Sequence, residues 1–120
     1  MRKAIITIML LNNLIVQGQQ AYRDSLKNAL ASAKDDSTKL VCINNLFYQY
    51  VYSYPDSAIT YAQQEILLAE KNQSELNLAK AYIDYAAFFD IVGDIPQALH
   101  YTQEALKIAE KQKDWLQRLS

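Results

Sequence analysis

The chain has 120 residues, of which 51% are apolar and 21% charged, with only two Gly and two Pro. That apolar content can supply a core and argues against disorder, and so few breakers argue for long helices joined by short turns rather than a many-turned sheet. A net charge of −1 with scattered basic residues gives no electrostatic footprint for nucleic acid.

The first expected element is a targeting segment. Arg2 and Lys3 precede the apolar run Ala4 to Val16, and Gln17-Gly18-Gln19 follows. A basic start, an apolar middle and a small-residue exit have the form of a secretory signal over 1–18, with Gly18 just before the expected cut. Asn12 and Asn13 interrupt the run, which is shorter than the ~20 residues a membrane helix needs. Export to a periplasmic or extracellular location is therefore expected. Membrane anchoring by the same segment is the alternative, and the buried first helix of a cytosolic protein is a third reading. No cysteine stands at the exit to carry a lipid.

Residues 19–36 are expected to form an N-terminal half-repeat helix, in which Leu26, Ala29, Leu30 and Ala33 make one apolar stripe. Asp35-Asp36-Ser37 is a break, with Asp36 or Ser37 as the next cap. A second helix is expected from about Thr38 to Tyr52, with Leu40, Ile43, Leu46, Phe47 and Tyr50 apolar. Its end, Phe47 to Tyr54, alternates aromatics and would pass alone as a strand. No partner strand exists in the sequence to satisfy its backbone, so the stretch is read as helix. Cys42, the single cysteine, lies among these apolar residues and reads as core; one thiol makes neither an internal disulfide nor a zinc site.

Pro55 ends this segment and suits the first turn of a third helix, which continues to about Lys71 with Ala58, Ile59, Ala62, Ile66 and Ala69 on one side. Ser74 is expected to cap a fourth helix over about Glu75 to Val92, and Gly93 to stop it. Asp94 caps a fifth, with Pro96 in its first turn and Lys107, Lys111 and Lys113 at its negative end. Trp115 to Ser120 reads as the opening of a further helix that is cut off.

The most informative pattern is internal repetition. Ala58, Tyr61, Gln63 and Ala69-Glu70-Lys71 recur as Ala98, Tyr101, Gln103 and Ala109-Glu110-Lys111, an offset of 40 residues. Within Ala79 to Glu110, Tyr82 stands at the leading aromatic place, Tyr85 at the Leu place, Ala86 at a small-residue place and Phe89 at the second aromatic place. Ala98 and Ala105 follow as the small residues where paired helices touch. On these residues the chain resembles the tetratricopeptide repeat family. Departures are Thr102 for the usual aromatic, Glu110 for the closing Pro and, in the earlier repeat, Glu65 for a small residue. Ile43, Leu46, Phe47 and Tyr50 take the first-helix places there, with a turn one residue shorter.

The resemblance implies an all-α fold of antiparallel helix pairs stacked as a short α-solenoid, about five helices after the signal. Its units are 1–18 as signal, 19–36 as half-repeat, 37–73 as a degenerate repeat, 74–113 as a repeat and 114–120 as the start of another. It also implies a groove lined by the first helix of each repeat: Asn44, Tyr48, Val51 and Tyr52, then Lys80, Ile83, Ala87 and Asp90. Asn44, Tyr48 and Tyr52 share one helical face. An alternative is that these tyrosines simply pack between helices.

No catalytic constellation is found. His100, the only histidine, reads as a partly exposed surface residue. Two glycines cannot build a phosphate-binding loop. Asp35-Asp36 reads as a loop cap, and Asp84, Asp90 and Asp94 as solvated or capping residues. No catalytic residue, metal site or cofactor is expected. The expected function is a non-catalytic protein- or peptide-binding module, and the family resemblance implies the exported N-terminal input region of a larger bacterial sensor or regulator. The alternative is a structural module that self-associates through its stack ends, around Leu26, Leu30, Trp115 and Leu116. Nucleic acid is not an expected partner, and a membrane enters only through the N-terminal segment, should it stay uncleaved.

Overall fold

The computed structural model describes residues 1–119. Five helices follow one another: α1 (Arg2–Ser32), α2 (Asp36–Tyr50), α3 (Pro55–Lys71), α4 (Glu75–Val92) and α5 (Ile95–Leu119), with no strand among the described residues. Connections of a few residues oblige consecutive helices to run antiparallel. Each packs mainly on its neighbour in the chain, so the molecule is a short helical stack.

The helix boundaries follow local chemistry. Asp35, rather than Asp36 or Ser37, caps α2: its carboxylate accepts from the Thr38 backbone N–H at 3.1 Å and from the Thr38 hydroxyl at 2.7 Å. Those bonds hold the Asp35 carboxyl below its ordinary range. α2 ends at Tyr50 and not at Tyr52, and residues 51–53 form a turn, because the chain must reverse before Pro55, the first residue of α3. Ser74 caps α4 by accepting from the Asn77 N–H. Gly93 ends α4 in the left-handed region at φ 85°, where a side chain would be strained. Asp94 caps α5 through the Gln97 N–H at 3.3 Å.

Two helices run on where the sequence changes character. α1 is continuous through Gly18, so the signal-like segment and the half-repeat helix form one rod. α5 runs on past Lys113 without a break; nothing at 113–115 interrupts it, and a repeat-length argument alone had placed a boundary there. Ser120 lies outside the described residues.

The rod explains the shape. The radius of gyration is 18.4 Å and the longest extent 67 Å, against about 14 Å expected for a compact chain of this length. Residues 1–22 of α1 are all exposed, and burial begins with Arg23 and Leu26. Arg23 is the latch. Its Nη2 donates to the Gln49 carbonyl at 3.2 Å, and its guanidinium lies 4.9 Å from the Tyr50 ring and 5.6 Å from Tyr54. Lys27 adds its ammonium 5.4 Å from Tyr50, which raises the Lys27 pKa. Leu26 is thus buried, and of the surface expected for self-association at this end only part of Leu30 stays accessible. Among the described residues no helix is long and apolar enough to cross a membrane.

The core lies between the pairs. Phe47, Val51, Ala58, Ala62 and Phe88 bury one another, with Tyr50, Tyr61, Tyr85 and Phe89 packed around them. Small residues at Ala58 and Ala62 let α2 and α3 approach closely, and the large rings fill the space toward α4. Full burial of a Phe such as Phe47 is worth about 2–3 kcal/mol.

The two pairs repeat in detail. Tyr50 and Tyr61 stack with centroids 5.8 Å apart across α2–α3, and Phe89 and Tyr101 stack at 5.8 Å across α4–α5. At the open end, Lys71 reaches Asp36 at 3.7 Å and Lys111 reaches Glu75 at 2.8 Å, each pairing the second helix to the first turn of the first. These pairs hold the Asp36 and Glu75 carboxyls below their ordinary range, in Asp36 after a larger effect from Asn72. The earlier pair is one residue shorter between its stacked rings, as its turn length implied.

Candidate functional site

α2 and α4 are the first helices of the two pairs, and they face each other across a cleft of about 550 Å³. On α2, Asn44 and Tyr48 stand one turn apart; on α4, Lys80, Ile83 and Asp84 occupy the facing turns; Glu65 rises from α3 between them. Val41, Tyr48 and Ile83 are exposed apolar surface on its walls.

The floor is polar and buried. Asp84 is 2% exposed and Glu65 3%. Asp84 Oδ2 accepts from Asn44 Nδ2 at 2.6 Å, and Oδ1 accepts from the Tyr48 hydroxyl at 2.6 Å. Glu65 lies against the same carboxylate. Burial first, then the hydrogen bond to Asp84 and its charge, push the Glu65 pKa up to about 9. Glu65 is therefore held in its protonated form at neutral pH, as a donor to Asp84. The Tyr48 phenol is also pushed well above its usual range, by burial and then by Asp84. Glu65 Oε1 is buried with no hydrogen-bond partner.

Of the eight residues expected to line a groove, Asn44, Tyr48, Lys80 and Ile83 do so. Val51 does not. It is 0% exposed and belongs to the core, because α2 ends at Tyr50 and the turn swings Val51 inward onto Phe47 and Ala58. Ala87 is half-buried and packs against that same core. Tyr52 and Asp90 are exposed, but neither lines the cleft: Tyr52 sits in the turn beyond the helix, and Asp90 lies past the helix turns that wall it.

Asp84 is a correction: it is neither solvated nor a cap but the buried acceptor at the centre of the site. Asp94 is a cap, and Asp90 is exposed. His100 is exposed and rests edge-on against Tyr101 at 4.9 Å. Cys42 is buried. Asp84 gave no sequence signal of its own. Glu65 did, since it replaces a small residue at a helix–helix contact; its equivalent in the second pair, Ala105, is likewise buried. An acid placed there must be buried, and a buried acid needs a partner. Among the described residues no third acidic, His or Cys side chain joins the pair to make a metal-binding group.

Comparisons with protein-family models, with curated proteins and with solved structures yield no match.

Proposed function

We propose that this chain is a non-catalytic interaction module, a short tetratricopeptide-type stack that holds a segment of another protein in the cleft between α2 and α4. The observation that carries this reading is the cleft itself. It combines exposed Val41, Tyr48 and Ile83, which can bury apolar side chains, with Asn44 and Lys80, which offer donors to a backbone or a carboxylate. The recurring stacked rings and end-on ion pairs support the repeat assignment. The basic start and apolar run of residues 1–18, none of them buried, support an exported chain whose first segment is dispensable for the stack. By resemblance, the module would be the input part of a larger bacterial signalling protein.

Self-association through the stack end is the second reading, favoured by Trp115 and Leu116, which stand exposed on α5 together with Leu106. Light scattering on the full chain and on the chain from Gln19 onward, followed by peptide-display selection, separates the two. A helical monomer whose selected peptides lose binding in Ile83→Glu, but not in Leu106→Glu, supports the cleft. A dimer broken by Leu116→Glu, with no peptide enriched, overturns it.

A further inference from the structure

We propose that the outer face of α5, from Ile95 to Ala109, is a docking surface for an amphipathic helix of a partner protein, one that carries a small residue, an aliphatic residue and two aromatics at i, i+3, i+4 and i+7. This goes beyond the cleft reading and concerns a different surface, at the far end of the stack.

The repeat itself shows what such a face receives. At the 40-residue offset, Ile59, Ala62, Ile66 and Ala69 of α3 correspond to Leu99, Thr102, Leu106 and Ala109 of α5. Steps of three and four put each set on one side of its helix. On α3 this side is covered: Ala62 and Ala69 are buried and Ile59 and Ile66 half-buried, because α4 packs there. On α5 all four are exposed, Leu99 at 56% and Leu106 at 55%, and Ile95 extends the stripe by a turn. The Thr102 hydroxyl donates to the Ala98 carbonyl at 2.8 Å, so its proton asks for no partner on the face. The stripe covers about 20 Å of helix before Lys113 interrupts it. An uncovered apolar face of this length at the end of a helix stack marks an interaction surface.

The chemistry of the occupant follows from α4. Ala81, Asp84 and Phe88 share one side of α4 and are buried, and Phe88 packs with Ala58 and Ala62 of α3, with Tyr85 beside them. The small residue lets the two backbones approach, and the rings fill the space alongside. Asp84 meets Glu65 at this contact. α5 carries Ala105 at the place of Glu65. A helix docking on α5 thus finds no carboxyl to meet, and an acid at that turn would be buried without a partner. An aliphatic side chain belongs there instead. A second copy of this chain has no helix of that kind to offer: α2 lies between α1 and α3, and α4 between α3 and α5, each enclosed on both sides. The occupant is therefore a helix of another protein, anchored through one apolar side.

The test is fluorescence anisotropy of a labelled, blocked helical peptide titrated with the full chain. The peptide keeps Ala81, Tyr85 and Phe88 of α4 at their spacing, carries Asp84→Leu, and is Glu, Lys and Ala at every other place. The expected result is binding that weakens about tenfold or more when the acid is restored at that place, and again with Phe88→Ala in the peptide. Leu106→Glu in the chain weakens it about tenfold or more, whereas Ile83→Glu, on the cleft wall, leaves it unchanged. Leu106 is exposed, so that variant keeps its fold, which helical circular dichroism checks. No binding of the peptide, or binding indifferent to Leu106→Glu, overturns the proposal. Binding lost in Ile83→Glu alone puts the helix in the cleft, which overturns the proposal and leaves the cleft reading standing. A dimer in light scattering that Leu106→Glu dissolves gives the face to a second copy and likewise overturns it.

Discussion

The two helix pairs of this stack share a plan and differ at one position. In both, a ring on the first helix stacks on a tyrosine of the second at 5.8 Å, and a lysine near the end of the second helix reaches back to an acid in the first turn of the first. At the contact between helices the second pair places Ala105 and the first places Glu65, both buried. Ala105 lets α5 close on α4 through apolar and aromatic contact alone. Glu65 instead meets Asp84 of the next pair and, with Asn44 and Tyr48, builds a polar floor. A helix stack can thus acquire a site at its cleft through a single departure from its repeat, and the departure costs stability at the place where it creates chemistry.

That comparison can be sharpened by titration. Glu65 has its folded pKa raised above its unfolded value, so its favourable contribution is full below the ordinary carboxyl range and is lost as pH climbs toward about 9. The chain is expected to lose stability across that window, by no more than about 1.4 kcal/mol per pH unit. Glu65→Gln keeps the hydrogen bond to Asp84 and removes the titration, so its urea-unfolding stability should be nearly flat from pH 5 to 9 and exceed that of the unaltered chain at the alkaline end.

Breaking the floor from the other side has the next effect. Asp84→Ala strips the acceptor from Asn44 and Tyr48 and is expected to cost about 3 kcal/mol in urea unfolding at pH 7. A smaller effect separates the aromatic seams. Tyr101 touches Tyr82, Tyr85 and Phe89, whereas Tyr61 touches Tyr50 alone among the rings. Tyr101→Ala should therefore cost about 1 kcal/mol more than Tyr61→Ala; equal losses would mean that the seams are energetically alike. The exposed pairs of Lys71 and Lys111 should contribute least, and raising the salt concentration should leave the melting midpoint almost unmoved.

Most of the fold was legible because its signals are local. Ser74, Pro55, Gly93 and Asp94 each act on the nearest turn, and each stands where the helix ends require. Continuity was harder. Gly18 marks an exit in a signal but does not break a helix, and α5 passes Lys113 because no residue there stops it. The site was half legible. Asn44 and Tyr48 share a helical face, and so do Lys80, Ile83 and Asp84, which places two walls of the cleft. Val51 was misplaced because one residue of helix end rotates the chain from surface to core. Asp84 looks like any surface acid until α2 and α3 are folded against it, since its partners come from 36 and 40 residues away. Glu65 carried a signal, an acid where a small residue belongs, but only the structure supplies the carboxylate it meets.

The most direct measurement is the carboxyl NMR titration of Glu65 in the full chain from pH 3 to 10. The buried floor predicts that Glu65 keeps its proton through neutral pH and releases it only toward pH 9. A Glu65 carboxyl ionised below pH 6 would contradict it: the cleft floor would then be wet, and the buried contact with Asp84 would not exist.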